Sequence, residues 1–367
     1  MAATSLQNSS ERASGVKAGW ITLRIPGLPF SYPVDRRVPR IALLLIAFAL
    51  AVLVISISYG DYNISPLEVV QTLTGTLDIE HPDYKNLNLV VHTFRLPRIL
   101  VAFMVGMALA TSGVLMQGIT RNSQADPYLL GVSGGAGLAA VAVIVWLRAT
   151  VPVSMLPFAA FGGALITAGI IYTLAWKGGG SSPMRLILIG IGIESVVAAL
   201  TTMMLLFGDI NQVQQAYVWL TGSVYGSNWA HVKALGGWLI VFLPLAFLSG
   251  RWLNTLSLGD DTARGLGAQV ERQRAALLVL SVALAAGAVA VSGTIGFVGL
   301  VAPHVTRRLV GPSHQGLLPV SALFGGALLV LADLIGRWVI APSELPIGVV
   351  SAMIGAPYFL YLMYRNR

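Results

Sequence analysis

The stretch RLPRILVAFMVGMALATSGVLMQGITRNSQADPYLLGVSGGAG, at residues 95–137, indicates the fold class of this chain. About 22 apolar residues follow a basic turn that contains Pro97, and they end at a polar loop at residues 121–127. A helix of roughly 20 apolar residues crosses a hydrocarbon core of about 30 Å, and proline is tolerated in the first turn of a helix. We therefore predict a membrane-spanning helix here, and the Gly/Ser-rich run that follows it opens a second one.

The composition favours the same fold class. Hydrophobic residues make up 56% of the 367 residues and charged residues only 10%, with a mean hydropathy of +0.77. The chain has no cysteine, which excludes disulfides, Cys-ligated metals and thiol catalysis. The net charge of +8 could suggest a nucleic-acid ligand, but the basic residues flank apolar segments. That placement is typical of membrane topology, so we expect membrane lipid and no nucleic acid among the partners.

Ten apolar segments predict an all-α polytopic membrane protein with about ten transmembrane helices. The segments lie at residues 41–59, 96–120, 128–147, 153–176, 184–207, 232–248, 275–291, 295–310, 317–335 and 347–363. A further segment at residues 212–221 is too short to cross a membrane. The polar loop at residues 60–93 contains a predicted surface helix, with Ser65 as its N-cap and Glu68 three positions later in a capping box.

The distribution of Lys and Arg predicts how the chain is oriented in the membrane. Ten spans put both termini on one side, and that side then carries 17 of the 23 Lys and Arg residues. Cytoplasmic loops are enriched in these residues, so we predict that both termini are cytoplasmic. We accordingly divide the chain into a basic cytoplasmic tail at residues 1–40 and a transmembrane domain at residues 41–367.

Several long motifs, in order along the chain, resemble those of the FecCD family. Members of this family are permease subunits of bacterial ABC importers for iron–siderophore complexes, haem and vitamin B12. The motifs here are RLPR and RNSQADPYLLG within residues 95–131, LSLGDDTARGLGAQVERQR at 256–274, SGTIGFVGLVAPHVTRRLVGPSHQGLLPVSALFGGALLVLADLIGR at 292–337, and ELPIGVVSAMIGAPYFLYLM at 344–363. Related chains usually read RNPLADP where this one has Ser123 and Gln124.

The resemblance implies a FecCD or vitamin B12 importer-like permease fold in the bacterial cytoplasmic (inner) membrane. It also implies a second permease chain, identical or paralogous, two ABC ATPase subunits and an extracytoplasmic substrate-binding protein. MRLILIGIGI and QAYVWLTGSVYGSNW look more like siderophore permeases, so iron(III)–siderophore is the expected substrate and haem or vitamin B12 the alternative. The chain lacks G-x-x-x-x-G-K-[ST], so ATP and Mg²⁺ are expected on the ATPase subunits. We expect the chain itself to bind no cofactor and to be no enzyme.

Three arginines, Arg95, Arg98 and Arg337, lie on the predicted outer side, against the general bias. The first two share a face of the first helical turn, where positive charge is disfavoured. Asp333 precedes Arg337 by four residues, the spacing of a helical ion pair. Such arginines could anchor lipid headgroups or form a basic rim for an acidic partner. In the FecCD family, arginines at matching positions meet acidic residues of the binding protein, so the resemblance favours docking.

The predicted cytoplasmic loop at about residues 255–272 contains a short helix. Ser257 and Asp260 have the spacing of a capping box, and the glycines that follow allow a tight turn. From the residues alone this could be an ordinary surface helix, whereas the resemblance makes it the coupling helix that fits a groove on the ATPase. The residues that the resemblance places at or near the ATPase are Asp260, Arg264, Gly265, Gly267, Asn122 and Asp126.

Glu194 lies in the middle of the fifth predicted span. A charged group there costs about 2.5–3.5 kcal/mol, so it should face protein or water, either lining a pathway or bonding a neighbouring helix. An ion-coupled secondary transporter that uses Glu194 and Asp333 is the alternative from another functional class. The sequence shows no inverted repeat, which counts against that alternative. No His or carboxylate pair has the spacing of a metal site.

Overall fold

The computed structural model describes residues 20–24, 31–60, 62–78, 82–177 and 180–365. Two short antiparallel strands precede the first long helix: β1 (Trp20–Arg24) pairs with β2 (Ser31–Asp35), with Trp20 opposite Asp35. Residues 1–19 and 25–30 of the predicted tail lie outside the described residues.

The first half of the chain then forms α-helices, some of which are joined to short turns of π-helix or 3-10 helix. The helices are α1 (Arg37–Ser58), α2 (Pro66–Thr74), α3 (Tyr84–Asn88), α4 (Leu96–Thr120), α5 (Val132–Val141) and α6 (Leu156–Ala175). Turns of π-helix lie at Leu89–Arg95 and Ala142–Trp146, and turns of 3-10 helix lie at Pro127–Leu130 and Val153–Met155. A two-residue strand pair, β3 (Trp176–Lys177) and β4 (Gly180–Ser181), follows α6.

The second half of the chain is helical up to Arg365. Its helices are α7 (Pro183–Leu206), α8 (Ile210–Leu220), α9 (Trp229–Leu248), α10 (Gly250–Leu256), α11 (Asp260–Gly265), α12 (Val270–Ser292), α13 (Val298–Val310), α14 (His314–Val339) and α15 (Ile347–Arg365).

Each of the ten predicted spans coincides with helical structure, which confirms the all-α polytopic fold class. Among the described residues, seven helices are long and apolar enough to cross a membrane. They are Arg37–Ser58, Tyr84–Thr120, Leu156–Ala175, Pro183–Leu206, Trp229–Leu248, Val270–Ser292 and His314–Val339. The third and tenth predicted spans match the shorter apolar helices Val132–Trp146 and Ile347–Tyr361, and the eighth matches α13, which has 13 residues. Helix α1 begins at Arg37, four residues before the predicted domain boundary.

Two of the short segments predicted outside the spans form helices. Helix α2 has the predicted capping box: the Ser65 hydroxyl accepts a hydrogen bond from the Glu68 N–H at 3.2 Å, and the Glu68 carboxylate accepts one from the Ser65 N–H at 2.7 Å. Helix α8 corresponds to the segment that was predicted to be too short to span and has 11 residues.

Helix α4 forms the centre of the packed structure, because most of its side chains are buried and it contacts α9, α12, α13 and α14. Glycines allow two of these contacts. A Cβ at Gly106 would lie 2.1 Å from the Gly325 carbonyl oxygen of α14, and a Cβ at Gly113 would lie 2.1 Å from that of Gly299 in α13. Only glycine permits backbones to approach this closely, which accounts for part of the chain's high glycine content.

Helix α4 also separates the two regions that carry the candidate functional residues. It has 25 residues, so at 1.5 Å per residue it is about 37 Å long. Its N-terminus and the C-terminus of α14 form what we call the Arg98 end. Its C-terminus lies beside α11 and the start of α12, and we call this the Asp260 end.

Candidate functional site

The predicted short helix at the Asp260 end exists, but the predicted capping box does not. Helix α11 begins at Asp260, and its N-cap is Gly259, whose φ is 101°. Ser257 has helical backbone angles in the last turn of α10, and its hydroxyl donates to the Asn254 carbonyl at 2.7 Å. A capping serine needs an extended backbone so that its side chain can face the next helix. The capping box was therefore a wrong prediction.

Arg274 of α12 holds the Asp260 end together. One of its guanidinium nitrogens donates to both carboxylate oxygens of Asp260, at 2.9 and 2.8 Å. The other donates to the Glu271 carboxylate at 2.8 Å and to the Ser181 carbonyl at 2.6 Å. The Arg274 side chain is only 2% exposed. A buried guanidinium must be paired, and this one joins α11, α12 and the β3–β4 turn between α6 and α7.

Asp260 has a second arginine partner, Arg121, which follows the last residue of α4. Arg121 adopts a left-handed conformation with φ at 52°, and from there its guanidinium donates to the Asp260 carboxylate. Partial burial raises the pKa of Asp260, but the hydrogen bond and charge of Arg274 and the charge of Arg121 outweigh it, so the pKa lies below its usual range. Asp260 is therefore an ionised group that links α11 to α4 and α12.

Asn122 and Asp126 do not meet α11 but shape the loop that carries Arg121. The Asn122 carboxamide oxygen accepts a hydrogen bond from the Gln124 N–H at 2.9 Å. The Asp126 carboxylate accepts one from the Tyr128 N–H at 3.0 Å, which caps the 3-10 turn at Pro127–Leu130. These local bonds are Asx turns. They hold the loop although Ser123 and Gln124 replace the family's usual residues.

The outward side of α11 is open and has few constraints. Ala263 is its only buried residue among those described, while a Cβ added at Gly265 would have no atom within 4 Å and Leu266 is 67% exposed. Arg264 is exposed and lies 3.5 Å from Asp261 and 3.9 Å from Glu271. Gly267, with φ at 82°, ends the helix, and the following N–H bonds back to the Ala263 carbonyl. This outward surface, which we call the α11 knob, exposes Gly265 and Leu266 beside the charged side chains of Asp261 and Arg264.

At the Arg98 end, the three predicted rim arginines have partners within the chain. Arg98 donates to Asp333 at 3.0 and 2.8 Å and to Glu344 at 2.8 and 3.1 Å. Arg337 forms the predicted ion pair with Asp333, at 3.1 Å, which is confirmed. Arg337 also donates to the Ser56 carbonyl at 3.1 Å. Its side chain is only 8% exposed, so it does not form part of an exposed rim.

Arg95 lies at an open groove that Arg98 and Arg337 also line. It donates to the Tyr62 carbonyl at 2.6 Å and to the Ile57 carbonyl, across from α1. Together with Arg98, Glu344 and Phe94 it lines an open groove of about 470 Å³. The expectation of a basic rim was wrong for Arg337, and carboxylates from α14 and the α14–α15 loop already pair with Arg98 and Arg337.

Glu194 of α7 lies against α5. Its carboxylate occupies the space where a side chain at Gly134 would be, since a Cβ there would lie 2.4 Å from Oε2. Tyr128, Gly190 and Ser195 line a cavity of about 270 Å³ beside it. Glu194 Oε2 is buried and has no hydrogen-bond partner within the described part of the chain. Among those same residues, no three His, Asp or Glu side chains form a metal site.

Sequence analysis missed the central role of Arg274, which had been counted only as a basic residue. A signal was present: Arg274 shares a helix face with Leu277, Leu278 and Ser281, all buried, so an arginine on the core face of α12 could have been noticed. Glu344 was missed as well, and no local signal exists for it, because its partner Arg98 lies 246 positions away.

The sequence of this chain matches a known family. The sequence profile of the FecCD transport family matches residues 44–365. The chain belongs to the FecCD transport family. FecCD proteins are multi-pass permeases of bacterial ABC importers, so this chain is a transport component and not an enzyme. Of the two ends described above, the Asp260 end contains the motif LSLGDDTARGLG, and the Arg98 end contains RLPR.

Similar proteins include two permeases of Bacillus subtilis (strain 168). The chain is 45% identical over 330 residues to the probable siderophore transport system permease protein YfhA, covering 89% of this chain and 94% of that one. It is 42% identical over 328 residues to the iron(3+)-hydroxamate import system permease protein FhuG, covering 87% and 96%. Among solved structures, an inward-facing transporter assigned to the metal-chelate ABC type matches with a TM-score of 0.79 and 31% identity, covering 89% of this chain and 99% of that one.

Proposed function

We propose that this FecCD permease translocates iron(III)–siderophore complexes across the bacterial cytoplasmic membrane. The observation that carries the proposal is the identity of 42–45%, over almost the full length, to permeases whose names specify siderophore and iron(3+)-hydroxamate transport. Haem and vitamin B12 remain the alternative substrates, since the fold is shared. An ion-coupled mechanism does not fit a FecCD permease whose Asp333 is already paired with two arginines.

Uptake by cells tests the substrate. A strain that lacks its own iron-chelate importers would express this chain with its ATPase and binding protein. We expect it to accumulate radioactive iron supplied as a ferric hydroxamate and to take up neither haem nor cobalamin. Cobalamin or haem uptake without ferric-siderophore uptake would overturn the proposal.

The exposed surfaces support the expected assembly with a second permease chain and two ATPase subunits. In α7, only Leu186, Gly190 and Val197 are buried, so a long apolar helix stands open for a second permease chain. At the Asp260 end, we expect the α11 knob to enter a groove on an ATPase. We place this end and both termini in the cytoplasm, supported by the excess of Lys and Arg on that side.

Arg274 supplies the route by which movement of α11 reaches the membrane helices. ATP-driven closure of the ATPase pair displaces α11. Because Asp260 is bonded to both Arg274 and Arg121, the displacement acts on the start of α12 and the end of α4. The hydrogen bond from Arg274 to the Ser181 carbonyl transmits the same displacement to the turn before α7. Glu194, on α7 beside an open cavity, lies where such movement would open or close a polar pathway.

The Arg98 end is the proposed docking surface for an acidic substrate-binding protein. Arg95 lines the groove together with Arg98, and we expect an incoming carboxylate to meet it there. Arg98 becomes available only if that carboxylate displaces Glu344, which is 34% exposed and lies on a loop. Arg337 acts indirectly, since it holds Asp333 in place beneath Arg98. Docking is thus an exchange of carboxylates rather than a first pairing of free arginines.

A further inference from the structure

An apolar groove of about 380 Å³ lies between α6, α9 and α12. Its walls are formed almost entirely by hydrocarbon and aromatic side chains. The residues that line it are Leu130, Phe161, Leu165, Ala168, Gly169, Tyr172, Trp238, Phe242, Ala275, Leu278, Val279, Val282 and Ala283. Leu165 and Val279 are more than 40% exposed, so the groove opens sideways.

The aromatic wall of the groove presents a dry surface. Phe161 and Trp238 meet edge to face with ring centroids 5.1 Å apart, and Trp238 and Phe242 lie 4.3 Å apart. The indole N–H of Trp238 donates to the Ala283 carbonyl at 2.9 Å, so this polar group of the wall needs no water. A lateral opening between three membrane-spanning helices faces lipid, so the chemistry that fits the groove is an acyl chain.

Cations and interfacial aromatic rings flank the end of the groove nearest Asp260. Tyr172, which lines the groove, packs its ring 5.8 Å from that of Trp176, and Lys177 follows. On α12, Arg272 is exposed and lies three and seven residues before the lining residues Ala275 and Val279, so all three share one helix face. Trp and Tyr mark the headgroup level, and basic sites beside helices bind anionic headgroups.

We propose that the groove binds one acyl chain of an anionic phospholipid, whose phosphate is held by Lys177 and Arg272. The neighbouring acid, Glu271, is engaged by Arg274 and by the Ser181 N–H, so it leaves the two cations to the lipid. Ala275 follows Arg274 directly, and the bound lipid therefore lies against the helix turn that carries Asp260's main partner. This places a lipid-sensitive site next to the coupling contact.

Two glycines of α6 provide a matched pair of variants. Gly169 lines the groove and Gly162, two turns away, does not, and neither has any atom within 4 Å of an added Cβ. The full-length chain, purified in detergent, would be titrated with phosphatidylglycerol and observed by native mass spectrometry. We expect Gly169→Phe to weaken phosphatidylglycerol binding about tenfold or more, since the ring fills the groove, and Gly162→Phe to bind like wild type. Equal binding by the two variants would overturn the acyl-chain site.

The headgroup is tested without touching the packed helices. Phosphatidylethanolamine with the same acyl chains serves as the neutral competitor. Each cation near a membrane surface should favour the anionic lipid about fivefold, so Lys177→Gln with Arg272→Gln should lower that preference by about 25-fold. The control is Lys233→Gln, because Lys233 is an exposed cation near the N-terminus of α9 and does not line the groove. An unchanged preference in the double variant would overturn the assignment of the headgroup, even if Gly169→Phe failed to fold.

Discussion

Arg274 and Asp260 are joined by two hydrogen bonds, at 2.9 and 2.8 Å, from one guanidinium nitrogen to both oxygens of the carboxylate. The arginine is buried in the first turns of a membrane-spanning helix, and the aspartate is the first residue of the short helix α11. Arg121 reaches the same carboxylate from the end of α4. One carboxylate thus connects the proposed ATPase contact to two helices of the membrane domain.

Replacing Arg274 by alanine should uncouple the importer. Asp260, Glu271 and the Ser181 carbonyl would lose their shared donor, and the loss should lower the free energy of unfolding by about 1–3 kcal/mol. We expect ATP hydrolysis by the reconstituted complex to continue while substrate uptake per ATP falls severalfold. Arg308→Ala, an exposed arginine elsewhere, should change neither. Unchanged uptake per ATP in Arg274→Ala would show that movement of α11 is transmitted by another route.

The lowered pKa of Asp260 predicts how stability depends on pH. Its ion pairs favour the charged form, so their contribution is fully present above the ordinary pKa of an aspartate, about 4, and is lost as pH falls through the lower pKa of the folded state. Thermal unfolding of wild type and Asp260→Asn should therefore differ by a constant amount near neutral pH. The difference should shrink below about pH 4. A difference that grows on acidification would contradict the assigned pairing.

A bulky side chain at Gly265 should block the proposed ATPase contact without harming the fold. Nothing lies within 4 Å of a Cβ at this position, so the chain itself should tolerate Gly265→Trp. The indole would project outward from the α11 knob, on the side where we expect the ATPase. We expect ATPase subunits to co-purify poorly with this variant, while its thermal unfolding stays within about 0.5 kcal/mol of wild type. Gly237→Trp, at an open position of α9, is the matched control. Normal co-purification would exclude α11 as the contact.

Neutralising Glu344 should strengthen docking of an acidic binding protein. Glu344→Gln removes the carboxylate that Arg98 now holds, so an incoming acid no longer has to displace it. An exposed pair is worth about 0.2–1 kcal/mol, which corresponds to a gain in affinity of up to about fivefold. The gain should come from faster association and should fade with added salt. Weaker binding at low salt would mean that Glu344 itself contacts the partner.

Substituting its partner instead, as in Arg98→Glu, is a poorer test of docking. It would set a new carboxylate against Asp333, which is only 2% exposed, and breaking a buried pair costs about 3–5 kcal/mol. Arg95→Gln is the more conservative variant, because the glutamine amide can still donate toward the backbone carbonyls of Ile57 and Tyr62. We therefore assign any loss of binding in an Arg98 variant to docking only when the variant unfolds at the wild-type temperature.

Local contacts were predictable from sequence, and distant ones were not. The Ser65–Glu68 capping box and the Asp333–Arg337 ion pair depend on residues three and four positions apart, where helical geometry alone brings them together. The Ser257 capping box failed because Ser257 follows the last residue of α10 and keeps helical backbone angles instead of the extended ones that an N-cap needs. Arg98 meets Asp333 across 235 positions, so only the packing of α14 against α4 reveals that pair.

The absence of cysteine from the sequence makes the proposed orientation directly testable. Single cysteines would be introduced at Lys85, which is exposed on the short helix α3, and at Leu266, which is exposed beside α11. In intact cells, a membrane-impermeant maleimide should label Lys85→Cys and leave Leu266→Cys unlabelled. After the membrane is permeabilised, both should react, which shows that each thiol is accessible in the folded chain. Labelling of Leu266→Cys alone in intact cells would invert the arrangement, and would place the Asp260 end where no ATPase could reach it.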